Sequence, residues 1–428
     1  MKPMTLDTMK KFQFPRMMRV RQTFERTEII DVAGHIRSQI HALAPRLNVR
    51  SGQTVAIACS SRGLAEYVTI VKTVVAEVSQ LGLKPFIVPA MGSHGAGTAV
   101  GQQRVLEHLG ICEEKVGAPI RSALEVVQLG KTDEGIPVCI DRLAHEADHI
   151  ILINRIKKHT DFIGEVESGL LKMMTIGLGK MAGAEVYHQC MLTFGASNSI
   201  RNAARHVMKH CSILFGVGSV ENGYGKVADI CVAAAEDIED REKKLFQFAK
   251  MLSPGLPFDE ADIILIDEIG KEISGAGFDT RVVGRIGLLG TPEPDKPRIK
   301  RIILSDLTVT SEGNACGFGN ADIITRRLAD KVDQKTTNTN TIVSLALEMG
   351  KTPLIMPNDQ EALALSMLSV GLIPPAKQKV IRIKNTLHLA EVDLSEAYAD
   401  AVYCRKDLEI IRPIKPIEFL PNGYLYPF

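Results

Sequence analysis

Short, almost unbroken apolar runs rich in Val and Ile recur along the chain, separated by longer stretches of helical periodicity. The sequence shows "TVAIACS" (54–60), "PFIVPAM" (85–91) and "HIILINR" (149–155), with "LAEYVTIVKTVVAEVSQLG" between the first two. Continuous rather than alternating apolar character marks strands covered on both faces, so the pattern predicts α/β units with largely parallel sheets. A hairpin turning at "ENGYG" and a charged helix over about 234–252 follow, and then "SPGLPFDE", a linker by its Pro and Gly. A second set of strands is expected at "DIILID" (262–267), "RIILSDL" (301–307), "PLIMP" (353–357) and "KVIRIKN" (379–385). The expectation is therefore two α/β domains with an active-site cleft between them: residues 1–260 as the cofactor-binding and catalytic domain, and 261–401 as the second. The tail 402–428 holds too many prolines for a central strand and is expected to pack back on the first domain.

The 428 residues suffice for two such cores. Lys plus Arg (51) nearly balances Asp plus Glu (50), so no global field recruits nucleic acid or an anionic membrane, and a small molecule is the expected partner. Eight scattered cysteines without a CxxC pair, the absence of an apolar leader and the absence of a run long enough to span a bilayer point to the cytoplasm.

In open α/β sheets ligands sit beyond the carboxyl ends of strands. "VAIAC" is followed by "SSRG" with Arg62, "PFIVPAM" by "GSHGAG" with His94, and "HIILINR" by "IKKHTDF" with His159. A histidine or arginine after one strand is commonly an ordinary loop residue; three after successive strands point to a site. Several other motifs fail on context. "HEADH" (145–149) fits HExxH, but its second histidine opens a β-branched run instead of continuing a helix. "GLGK" lacks the P-loop frame, because Met174 stands where the first glycine belongs and Met181 follows the lysine. Neither GxGxxG in a strand-to-helix turn nor GxSxG is present.

The segment "NRIKKHTDFIGEVESGLLKMMTIGLGKMAGAEVYH" threads histidines, lysines and glutamates through apolar residues, where charge is costly unless paired or ligated. "GSHG" with His94, "HTDFIGEVESGLLK" with His159 and Lys172, and "AEVYH" with His188, sixteen residues after Lys172, together resemble the nickel-dependent lactate racemase family. That family carries a nickel-pincer nucleotide, a pyridinium-3,5-bisthiocarboxylic acid mononucleotide whose two sulfurs and one ring carbon hold nickel. The resemblance implies Lys172 as the covalent tether, His188 as the nickel ligand, His94 and His159 as the acid/base pair, and Arg62 near cofactor and substrate. It also implies separate cofactor-maturation proteins.

The resemblance is uneven. Cys59 stands three positions before Arg62, where the family carries an acidic residue, and the loop between His159 and Lys172 is longer than in lactate racemases. In the second domain "GKEISGAGFDTR" offers Lys271, Asp279 and Arg281 to the substrate, and Lys180 and Lys271 are cationic candidates for the nucleotide phosphate. Glu165 and Glu167 are expected to be solvated or paired with Lys157 and Lys158. The expected activity is racemisation or epimerisation of a 2-hydroxy acid; the alternative is a non-catalytic relative that binds a small anion or nucleotide.

Overall fold

A computed structural model describes residues 12–428. The chain divides into two compact units at Ser253/Pro254, inside the expected linker: Glu25–Ser253 is one, and Pro254–Phe428 with the described residues up to Phe24 is the other. Strands are numbered in chain order. β1 (Arg16–Gln22) belongs to the second unit. The first unit holds β2 (Thr54–Cys59), β3 (Lys84–Pro89), the hairpin β4 (Val126–Lys131) and β5 (Pro137–Asp141), β6 (His149–Arg155), β7 (Ile213–Glu221) and β8 (Val227–Ala234).

The principal sheet of the first unit runs β3-β2-β6-β7-β8. Its first four strands are parallel, and β8 returns antiparallel to β7 around the "ENGYG" turn. Successive residues alternate between two cores. Val55, Ile57 and Cys59 pack with the helices Val32–Leu43 and Tyr67–Gln80, whereas Ala56 and Ala58 face Ile200, Ala203 and Val207 of the helix Ala196–His210. Burial on both faces is why these strands read as continuous apolar runs.

The second unit adds β9 (Glu260–Ile266), β10 (Arg298–Leu304), β11 (Ile323–Thr325), β12 (Leu354–Met356), β13 (Val380–Ile383), β14 (Glu391–Ser395) and β15 (Leu408–Pro416). They form an eight-stranded sheet in the order β12-β11-β10-β9-β13-β14-β1-β15, parallel through β13 and antiparallel beyond it. Two assignments made from sequence change here. The tail, expected on the first domain, supplies β15 to the second unit's sheet, and the N-terminal β1 pairs beside it. Pro413 and Pro416 explain its place: a residue without an N–H is tolerated on an edge strand. β1 is held by charge as well as by ladder bonds, with Arg19 against Asp393 at 2.8 Å and Arg21 against Glu391 at 3.1 Å.

Candidate functional site

The chain leaves β2 toward β3 on one side and leaves β6 toward β7 on the other, so the β2/β6 boundary is a topological switch point, the place beyond the carboxyl ends where ligands bind in open α/β sheets. Ser61 and Arg62 follow β2, His94 follows β3, and His159 follows β6. The Ser61 hydroxyl meets Nδ1 of His94, joining two of these loops. Arg155 at the end of β6 pairs with Glu221 at 2.5 Å, and Glu221 also accepts the Ala65 N–H at 2.8 Å. Arg62 is solvent-exposed as a residue, but surrounding protein and then the positive charge of Arg155 lower its guanidinium pKa. The His94 loop closes tightly. Gly95 has φ +68°, and a Cβ there would lie 2.5 Å from the Gln102 nitrogen, so only glycine fits.

Lys172 and His159 are brought into direct contact: Nζ of the lysine meets Nε2 of the histidine. Nδ1 of His159 accepts the Asp161 N–H at 3.0 Å, so the proton of the neutral ring sits on Nε2. In that tautomer the lysine enters the contact as a neutral amine. Electrostatics bring that form within reach. Burial lowers the Lys172 pKa to about 8, Asp161 opposes the shift, and Lys157 and Arg62 add to it. Phe162 stacks on the His159 ring at 4.4 Å. Glu167 is buried, not in solvent, and accepts the N–H groups of His159 (2.6 Å) and Gly164 (3.2 Å), fixing the loop from inside. Glu165 pairs with Arg201 at 2.8 Å and with Lys243 at 3.5 Å.

The turn carrying Lys172 is anchored by a residue the sequence reading passed over. Glu242, on the helix Ile238–Leu252, is buried and its Oε2 accepts the Leu171 N–H at 2.9 Å. Gly169 makes room, since a Cβ there would lie 2.2 Å from Glu242 Oε1. Beyond Lys172 the helix widens, the Leu178 N–H reaching the Met173 carbonyl five residues back at 2.9 Å. Such π turns are frequent at functional sites. The sequence did carry a signal for Glu242, because it shares a helical stripe with the buried Ile238, Leu245, Phe246 and Ala249.

Burial pushes the Glu242 carboxyl up to about 7, against the opposing pull of the Leu171 and Leu170 N–H groups. A folded-state pKa above the unfolded value means that the folded protein keeps a proton the unfolded chain releases. This contribution to stability is full below about pH 4.3 and is lost as pH rises through about 7. Glu242→Gln, which keeps an acceptor and removes the charge, is therefore expected to raise the unfolding midpoint at pH 8 relative to the unmodified protein, with little difference at pH 4. Denaturant titrations at the two pH values check this, and a difference independent of pH would contradict it.

Lys180 does not serve a phosphate. It is buried, with Nζ 2.9 Å from Asp141, 2.5 Å from the Pro89 carbonyl and 3.1 Å from Gln102 Oε1. His188 lies half-buried on the helix Lys180–Phe194. Met181 and Ala184, on the same stripe seven and four residues earlier, pack against Gly97 and Gly92 of the His94 loop. The stripe bearing His188 is thus the one turned toward that loop. Lys271, Asp279 and Arg281 belong to the second unit. Lys271 Nζ donates to the carbonyls of Gly275 (2.6 Å) and Cys316 (3.2 Å), and Asp279 caps the short helix Thr280–Val283 through the Arg281 N–H at 2.9 Å.

Residues 8–199 match the lactate racemase N-terminal domain. The matched region contains Arg62, His94, His159, Lys172 and His188, and excludes Lys271, Asp279 and Arg281. Among solved structures, a structural-genomics target from Thermotoga maritima aligns with a TM-score of 0.52 at 14% identity, covering 86% of this chain and 99% of that one. The lactate racemase apoprotein from Thermoanaerobacterium thermosaccharolyticum aligns with a TM-score of 0.46 at 13% identity, covering 78% of each chain. The Thermotoga likeness shows a shared fold. No curated protein matches the sequence. Among the described residues no helix is long and apolar enough to cross a membrane.

Proposed function

From the match of residues 8–199 to the lactate racemase N-terminal domain, we propose that this chain is an isomerase of that family that racemises or epimerises a 2-hydroxy acid with a nickel-pincer nucleotide. The observation that carries this reading is the contact between Lys172 and His159: a neutral amine is the form of lysine able to make a covalent link. Among the described residues no group of three His, Cys, Asp or Glu side chains is placed to hold a bare metal ion. The pincer nucleotide would bring three donors to nickel itself and ask the protein for one imidazole, here assigned to His188. When bound, the nucleotide supplies the hydride-accepting centre that lets a 2-hydroxy acid pass through its keto form.

The protein's own residues move the protons. His94 and His159 take the hydroxyl proton of the two enantiomers, each serving as base for one and as acid for the other. Ser61 orients the His94 ring, and the Asp161 N–H with the stacked Phe162 orients the His159 ring. Arg62 holds the substrate carboxylate. Intact mass and nickel content test the reading on protein made together with cofactor-maturation enzymes, with Lys172→Ala as control. A nucleotide-sized adduct with nickel, absent from the variant, is expected; neither adduct nor nickel would overturn it.

A further inference from the structure

Lys172 meets three requirements of an imine-forming lysine apart from any cofactor. Its amine lies against the His159 ring, and burial lowers its pKa to about 8, so a large share of it is neutral at that pH. A proton carrier touches it. Positive charge from Arg62 and Lys157 lies close enough to act on it, which also suits a carboxylate beside the reacting carbon. We infer that the Lys172 amine condenses reversibly with the keto group of a 2-oxo acid, with His159 relaying the protons and Arg62 holding the carboxylate.

The step balances without an oxidant or reductant. The Nζ lone pair attacks the carbonyl carbon, and the C–O π pair moves to oxygen. One amine proton passes through the His159 ring to that oxygen, giving a carbinolamine. The second amine proton follows the same route as the C–O bond breaks, and one water leaves an imine at Lys172. This reaction needs no nickel. One amine cannot hold both bonds, however, so a 2-oxo acid competes with attachment of a cofactor at Lys172. That consequence rests on the proposed function; the imine does not.

The test uses the full chain made without maturation enzymes, incubated with pyruvate at about pH 8 and trapped with borohydride, which reduces the imine to a stable secondary amine. Peptide mass mapping then locates the adduct. At that pH a lysine titrating near 8 has roughly a hundredfold larger neutral fraction than an ordinary lysine. Trapping is therefore expected at Lys172 first, with a half-maximal rate near pH 8 and a slower rate in His159→Gln. Adducts spread over surface lysines without preference for Lys172, or a rate still climbing with its midpoint above about pH 10, would overturn the inference. Trapping at the unmodified rate in a folded His159→Gln protein would remove the relay. None of these results bears on the nickel and mass measurement above, so the two readings fail separately.

Discussion

His159→Gln is expected to lower the rate of hydroxy-acid interconversion by about 10²–10⁴-fold, the usual contribution of a positioned general acid or base. The glutamine is close in size and can still accept the Asp161 N–H, so the loop pinned by Glu167 should keep its course. What disappears is a group that binds and releases a proton near neutral pH. Both directions slow together, because the residue that is base for one enantiomer is acid for the other. Far-UV circular dichroism confirms the fold, and initial rates from each enantiomer on cofactor-loaded protein give the effect. Rates within about tenfold of the unmodified protein would remove His159 from the acid/base pair.

Lys180→Met is expected to cost about 3–5 kcal/mol of stability, because it leaves the Asp141 carboxylate buried without its cation. The lysine does more than neutralise charge. Its Nζ ties the end of β3, through the Pro89 carbonyl, to Gln102, and the Gln102 amide donates to the Gly92 carbonyl at 2.8 Å and the His94 carbonyl at 3.4 Å. Lys180 itself sits at φ +56°, a left-handed conformation that costs a residue with a Cβ roughly 1–2 kcal/mol. The surrounding bonds must outweigh that strain. Pairing Lys180→Met with Asp141→Asn should recover part of the loss by removing the stranded charge. Denaturant unfolding measures both variants, and a loss below about 1 kcal/mol for Lys180→Met would show that the pair does not anchor the His94 loop.

The candidate site was partly legible because strand ends announce themselves. "VAIAC", "PFIVPAM" and "HIILINR" each end abruptly at polar residues, and a parallel sheet necessarily collects such ends along one edge. That reasoning reaches Arg62, His94 and His159, and the spacing motif reaches Lys172 and His188. It could not reach Ser61, whose bond to His94 depends on β2 and β3 lying side by side. Lys180, a phosphate candidate by charge type alone, and Glu242, marked only by its helical stripe, are both buried and each secures a segment of the site.

The sequence by itself determined two α/β units with parallel sheets, since continuous apolar runs have a low-energy home only between layers, and it determined which residues follow the strands. Tertiary structure alone decided that Lys172 faces His159 and that its pKa falls to about 8, because proton affinity follows from burial and neighbouring charge, which have no signature in residue order. It alone decided, too, that β1 and β15 close the second unit's sheet. The β1 ladder joins residues far apart in the chain, such as Arg19 and Asp393, 374 positions away, and what selects that pairing is the complementarity of charge and apolar surface between segments that meet only in the folded chain.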